Sequence, residues 1–135
     1  MSKKIFVNLP VANLKKSMDF YTKIGFVNNP MFTDDTAACM VLTEEIYVML
    51  LTHAKFGSFS NKKIIDAKTS TGVILSISAD SLDEANAMAD AALKAGGDEP
   101  TPPKDYGFMQ QRSFNDPDGN HWEVFYMDMS KFPAQ

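Results

Sequence analysis

The chain has 135 residues, a length typical of one domain, and 44% of them are hydrophobic, which is enough to bury a core. Its 13 Lys and Arg against 17 Asp and Glu give a formal net charge of -4, which argues against nucleic-acid binding. No apolar run approaches the roughly 20 residues of a membrane span, and residues 1–4 lead into a strand rather than a signal-peptide core. We therefore expect a cytoplasmic protein with no membrane partner.

Cys39 is the only cysteine, so an internal disulfide and a cysteine-rich metal site are excluded. A reactive thiol needs an electropositive neighbourhood, which the flanking Ala38 and Met40 do not provide. We interpret Cys39 as a small buried strand residue rather than a nucleophile.

The first half of the chain predicts a strand, a helix and three further strands. Asn13 is a typical helix cap, apolar residues then recur at helical spacing, and Gly25 supplies the left-handed stop. The remaining apolar runs are separated by turn-forming residues such as Asn29-Pro30. The predicted order is strand 4–10, helix 13–24, and strands 26–28, 36–43 and 46–53.

The second half repeats this order. After a strand at 72–79, Ser81 and Glu84 form a capping box that opens a helix ending at about 95. A proline-rich link precedes strands at 108–114 and 121–127, joined by the turn Asp116-Pro117-Asp118-Gly119.

The repetition indicates one domain, 1–135, built from two tandem βαβββ units at about 4–53 and 72–127. The sequence therefore predicts an α+β fold, with helices outside a curved mixed sheet. Residues 54–71 join the units and are too long for a structureless loop, so we expect a helical turn there. Two interpretations stay open: a linker pinned to the surface by its aromatic residues, or a lid over a pocket.

The order of these motifs resembles the vicinal oxygen chelate superfamily, which includes glyoxalases, extradiol dioxygenases and bleomycin-resistance proteins. The resemblance rests on Asn8-Leu-Pro-Val11, Phe20-Tyr21, Gly25-Phe26 and the run Asp116 to Val124 (DPDGNHWEV), and it covers nearly the whole chain. It implies that each unit forms half of a cup, and that metal-bearing members place ligands on the first and last strands of each unit.

Carried over position by position, the resemblance places those metal ligands at Phe6, Leu50, Val73 and Glu123. Three of the four are hydrocarbon side chains, which cannot coordinate a divalent cation. We therefore expect no metal cofactor. A less usual site built from His121 and Glu123, with Asn8 as a third ligand, stays a minor alternative.

Strand alternation predicts which residues line the cup. Phe6 with Asn8, Val73 with Leu75, and His121 with Glu123 are each two positions apart and are expected to share a face. Together with Leu50 and its strand neighbour Val48, they predict a largely apolar ligand site. The predicted ligand-binding set is Phe6, Asn8, Leu50, Val73, Leu75, His121 and Glu123.

Glu123 is the unusual member of this set, because a carboxylate facing an apolar cup must be paired, hydrated or neutralised. His121 and Arg112 are the candidate partners. If Glu123 is paired, it is a structural brace; if it is not, it suits a general base or the binding of a cation. His121 itself is either a structural residue or Glu123's partner in catalysis, and His53 is interpreted as structural.

Three functions follow from this site. The first is a metal-independent binding protein of the bleomycin-resistance type, holding a small, largely apolar organic molecule. The second is a divergent lyase, isomerase or dioxygenase using Glu123 and His121 as candidates for catalysis, and the third is a structural or partner-binding role. The resemblance also predicts a homodimer, with Met127, Met129 and Phe132 as candidate interface residues.

Overall fold

A computed structural model describes residues 3–133 and contains two four-stranded mixed sheets. In the first, β1 (Ile5–Val11) runs parallel to β4 (Ile46–Thr52), followed by β3 (Ala37–Val41) and β2 (Val27–Asn29). In the second, β5 (Ile74–Ser78) runs parallel to β8 (His121–Met127), followed by β7 (Met109–Asn115) and β6 (Lys104–Asp105). The predicted α+β fold of two βαβββ units is confirmed.

The two long helices begin and end where the sequence predicts. Helix α1 (Leu14–Lys23) is capped by Asn13, whose side chain accepts a hydrogen bond from the Lys16 amide at 3.1 Å. The corresponding helix of the second unit, Leu82–Lys94, is capped by Ser81, which accepts from the Glu84 amide at 3.0 Å. A short helix at His53–Gly57, here α2, opens the connection between the units, so the longer helix is α3.

One strand and the start of one helix differ from the prediction, and the 3₁₀ helices at Pro30–Phe32 and Met129–Lys131 were not predicted. Strand β6 was missed because it is only two residues long and follows a proline-rich stretch that carries no strand signal. The helical turn expected within 54–71 begins one residue earlier, at His53, because the Thr52 side chain accepts from the Lys55 amide at 3.2 Å and caps it.

Each sheet has a back face, which packs against the helices, and a front face on the other side. The back faces of both sheets contribute to one hydrophobic core, which also takes Phe20 and Tyr21 of α1 and Ala92 of α3. Because the back faces converge on this core, the two front faces point away from each other. The strand residues of the core are Leu9, Val11, Ala38, Met40, Val48, Leu50, Ile77, Phe114 and Trp122.

A buried hydrogen-bond chain joins the two units across this core. Tyr21 donates its hydroxyl proton to Asp116 at 2.6 Å and accepts a hydrogen bond from the Trp122 indole at 3.0 Å. Asp118 accepts from the Ala12 amide at 2.9 Å and from the Ser17 hydroxyl at 3.3 Å. The turn between β7 and β8 therefore holds the start of α1 in place.

No helix within residues 3–133 is both long enough and apolar enough to cross a membrane.

Candidate functional site

The front face of the first sheet carries a stacked aromatic pair that is partly open to solvent. Phe6 stacks on Tyr47 in the neighbouring strand, with ring centroids 4.3 Å apart. Lys4 donates to the Tyr47 hydroxyl at 3.2 Å, and its ammonium lies 5.5 Å from the centre of the same ring. Phe6 is nevertheless 51% exposed, whereas Leu51 and Cys39, on the same face by strand register, are buried. Phe6 and Tyr47 therefore present an aromatic surface beside a part of the face that the chain itself covers.

The front face of the second sheet centres on Glu123, whose carboxylate is held by two neutral donors. Ser76 donates its hydroxyl proton to Oε1 at 3.0 Å, and the Gln111 amide donates to Oε2 at 3.0 Å. Both donors are on strands adjacent to β8, so the sheet itself fixes the carboxylate. Within the part of the chain that the structure describes, Glu123 is therefore hydrogen-bonded without a cationic partner.

Arg112 is not the partner of Glu123, contrary to one of the two expected pairings. It lies on the opposite, helix-covered face of β7, where its guanidinium bonds Glu99 at 2.7 Å and Asp90 at 3.1 Å. It also donates to the Asn86 side chain on α3 at 3.2 Å. Arg112 fastens α3 to the second sheet, and Glu123 bonds Ser76 and Gln111 instead.

His121 shares the front-face parity of Glu123, as predicted, but it bonds neither Glu123 nor a backbone carbonyl. Its Nε2 atom is buried and has no hydrogen-bond partner among the described residues. The side chain lines a cavity of about 500 Å³ with mainly polar walls, including Lys68, Asp98 and Asn115. A buried imidazole nitrogen without a partner is uncommon in folded proteins, which singles out His121 for a role that the described residues do not supply.

Leu50 does not face the cup, so its place in the predicted ligand site is wrong. In the parallel pairing of β1 with β4 it lies beside Leu9, and it is fully buried in the core behind the sheet. Val48, two positions earlier, is buried in the same core. The front-face residue of β4 beside Phe6 is Tyr47.

Leu75 is also on the wrong face. It lies beside Trp122 and packs against the core, whereas Ile74 and Ser76 are the β5 residues paired with His121 and Glu123. Val73 precedes the strand and is 65% exposed. The predicted convergence of Phe6, Leu50, Val73 and Glu123 on one concavity is therefore not found within the chain.

Val73 and Asn8 instead line a cavity of about 750 Å³ between β1 and the residues that connect the two units. Asn8 is exposed, and its amide reaches the Phe6 carbonyl at 3.5 Å. His53, interpreted above as structural, begins α2 and lines the same cavity. Of the two interpretations of residues 54–71, the structure favours a segment that covers a pocket.

Cys39 is buried, as predicted, with 2% of its surface exposed. Burial raises the pKa of the Cys39 thiol, which keeps it protonated and unreactive at neutral pH.

Sequence reasoning missed Tyr47, Ser76 and Gln111. A signal for Ser76 was present, because Ser76 and Ser78 alternate with Leu75 and Ile77, which is typical of a strand with one polar face. No such signal marks Tyr47. Strand β4 is apolar at nearly every position, so its sequence does not show which residues face the core.

Among residues 3–133, no cluster of three or more His, Cys, Asp or Glu side chains could hold a metal ion. On the front face of the second sheet, His121 and Glu123 lie two positions apart on β8 and are both possible ligands for a divalent cation. The other positions that the resemblance gave, Phe6, Leu50 and Val73, carry hydrocarbon side chains, so the side chains present do not fit a site of the usual composition.

Two βαβββ units define the class of this protein, and the comparisons agree. Residues 5–124 match the model of the Glyoxalase/Bleomycin resistance protein/Dioxygenase superfamily. The chain belongs to that superfamily. No curated protein sequence matches it significantly.

Solved structures share the fold at low sequence identity. Hypothetical protein SA1046 from S. aureus has a TM-score of 0.78 and 22% identity, covering 93% of this chain and 94% of its own. A superfamily enzyme from Burkholderia phytofirmans PsJN has a TM-score of 0.76 and 16% identity, covering 93% and 99%. The bleomycin resistance determinant encoded on transposon Tn5 has a TM-score of 0.65 and 17% identity, covering 94% and 99%.

Proposed function

We propose that the protein is a homodimer of the bleomycin-resistance type, which binds a small, largely apolar organic molecule without a divalent metal. The observation that carries the proposal is the divergence of the two front faces. A cup needs both faces opposite each other, and one chain turns them apart around its shared core. In a dimer, the first sheet of one protomer can face the second sheet of its partner.

The exposed aromatic surface supports this assembly. Phe6 on the first front face and Ile74 on the second are each 51% exposed. Apolar side chains gathered on a sheet face in this way are typical of an interface or a binding groove. Met127, Met129 and Phe132 are also exposed, and they keep their predicted interface role within this proposal.

The chemistry of the two faces suggests how the ligand is held. Phe6 and Tyr47 offer a stacked aromatic wall for an apolar or aromatic body. Glu123, fixed by Ser76 and Gln111, offers one oriented carboxylate on the facing wall. An apolar pocket with a few placed polar groups is the usual composition of a small-molecule site.

The test combines assembly, metal content and binding. We expect sedimentation to give a dimer at micromolar concentration and elemental analysis to give no stoichiometric zinc, nickel or iron. Calorimetry should detect binding of metal-free bleomycin, a probe whose planar bithiazole supplies the aromatic body. Phe6→Asp is expected to weaken both dimer and binding, because it puts a charge into the aromatic wall. Its control is Met31→Asp, at a position 80% exposed in the first unit. A monomer, or a stoichiometric metal, would refute the proposal.

A second candidate is a divergent lyase, isomerase or dioxygenase that uses Glu123 and His121. The observation in its favour is the buried His121 Nε2 without a hydrogen-bond partner, beside a polar cavity. Turnover of the hemithioacetal of methylglyoxal and glutathione, lost on His121→Gln and on Glu123→Gln, would replace the first proposal with this one. The cytoplasmic location and the lack of nucleic-acid binding stay predictions.

A further inference from the structure

The connector, residues 54–71, encloses a cavity of its own, separate from the aromatic stack and from Glu123. The cavity has a volume of about 750 Å³, within the range of pockets that hold small molecules. Its floor is the end of β1 and the residues after it, from Asn8 to Ala12. Neither Phe6 and Tyr47 nor Ser76 and Glu123 contribute to its walls.

The connector is anchored at both ends of this cavity. At its start, α2 is capped by Thr52. At its far end, the backbone carbonyl of Asp66 closes a turn by accepting hydrogen bonds from the amides of Thr69 and Ser70 at 3.0 and 2.9 Å. That turn lies so close to Gly119 that a β-carbon there would be 2.8 Å from the Ala67 carbonyl oxygen. The connector is therefore held against the rest of the fold at both of its ends.

The walls of the cavity are mostly apolar. Phe56, Ile64, Ile65 and Val73 form the cover, and Pro10 contributes to the floor. Ile65 and Val73 are 52% and 65% exposed although they line a pocket, so apolar surface there is left open to water. An apolar ligand would remove that surface from water, and each apolar group buried in this way would make the free energy of binding more favourable.

Lysine side chains are placed around the same apolar walls. Lys62, Lys63 and Lys68 line the cavity with two acids, Asp66 and Asp118. Both carboxylates are hydrogen-bonded to the backbone: Asp66 accepts from the Lys68 amide at 3.0 Å, and Asp118 accepts from the Ala12 amide at 2.9 Å. The ion pairs found within residues 3–133 involve only Arg112, so Lys62 and Lys63 have no carboxylate partner there.

From this combination we infer that the cavity under the connector binds an organic anion: an aromatic or branched apolar body carrying one carboxylate or sulfonate. The apolar body occupies the space among Phe56, Ile64, Ile65 and Val73. The acid group is held by Lys62 and Lys63 at the rim. The chain as a whole has a net charge of -4 and repels an anion. The attraction for the acid group therefore has to come from this local pair of lysines.

The test uses two fluorescent probes with the same aromatic rings, anilinonaphthalene sulfonate and neutral phenylnaphthylamine, on the intact protein. We expect the sulfonate to bind once per chain. The double variant Lys62→Gln, Lys63→Gln should weaken its binding roughly fivefold and change binding of the neutral probe by less than roughly twofold. The control double variant Lys94→Gln, Lys131→Gln carries the same charge change outside the cavity and should leave both probes unaffected.

Amide resonances locate the bound probe. Shifts concentrated at residues 53–73 and 8–12 support the inference, and Ile65→Gln should weaken both probes because it adds a polar group to the apolar wall. Shifts concentrated around Phe6 and Glu123, or a sulfonate affinity that ignores Lys62 and Lys63, would overturn it. Dimer formation and bleomycin binding are measured separately, so the failure of the proposed function is distinguishable from the failure of this site.

Discussion

The two βαβββ units have the same strand order, but their front faces carry different kinds of side chain. Each sheet pairs its first strand with its fourth in parallel and leaves the second at the edge. The first unit presents the stack of Phe6 on Tyr47, whereas the second presents Glu123 bonded by Ser76 and Gln111. One unit is therefore built for apolar contact and the other for oriented hydrogen bonds.

The back faces differ much less, because both must pack into one core. Leu50 and Val48 of the first sheet and Phe114 and Trp122 of the second are buried in the same cluster. A shared core constrains both units to similar apolar back faces, whereas the front faces meet no such shared requirement. We infer from this difference that the back-face residues mainly set the stability of the fold, whereas the front-face residues are the ones available for function.

The largest expected effect tests which residues of β4 face forward. Leu50→Glu puts a carboxylate into the shared core and should lower the free energy of unfolding by more than about 4 kcal/mol. Tyr47→Glu makes the same chemical change on the open front face and should cost about 1 kcal/mol or less. Urea denaturation measures both. Equal losses from the two variants would contradict the assignment of faces.

The second prediction tests whether the units share one core. Trp122 stacks on Phe114 and bonds Tyr21 of the first unit, so Trp122→Ala should cost about 3–5 kcal/mol. Trp122→Phe keeps a ring in the same place and should cost less. Because the core is common, tryptophan-independent probes such as backbone circular dichroism should show a single transition in both variants. Two separate transitions would show that the units unfold independently.

The third prediction concerns the hydrogen-bond chain across the junction. Tyr21→Phe removes the hydroxyl that donates to Asp116 and accepts from Trp122, leaving both buried groups without that partner. We expect a loss of about 1–3 kcal/mol in the free energy of unfolding. Thr22→Val, on the exposed side of the same helix, is the control and should cost less. A neutral Tyr21→Phe variant would mean that Asp116 and Trp122 find other partners.

The same junction predicts a dependence on pH. Burial raises the pKa of Asp116 above its ordinary value, against the hydrogen bonds from Tyr21 and Asn120 that lower it. A folded-state pKa above the unfolded one means that the folded protein binds the proton more tightly, so this group's contribution to stability is lost as pH rises through the folded pKa. Asp116→Asn should remove that part of the pH dependence. An unchanged pH profile would contradict it.

How much of this could be predicted from sequence depends on which face a residue occupies. Helix caps, the hairpin turn and the repeated strand order were predictable because Asn13, Ser81 and Gly119 act locally. The facing of Leu50 was not, because β4 is apolar on both sides and its phase is set by pairing with β1. The partners of Glu123 were missed for a similar reason: Ser76 and Gln111 are brought to it only by sheet register.

The smallest expected effect on stability is at Glu123 itself. Glu123→Gln keeps the size of the side chain and one acceptor oxygen for Ser76, so the free energy of unfolding should change by less than about 1 kcal/mol. If the second front face is the oriented wall of a binding site, the same variant should still weaken bleomycin binding, by roughly threefold to tenfold, since an oriented charge is lost. Gln110→Glu, on the opposite face of β7, is the control and should leave binding unchanged. Calorimetry with both variants separates the two roles of the carboxylate, because a brace would lose stability and keep affinity whereas a ligand contact would lose affinity and keep stability.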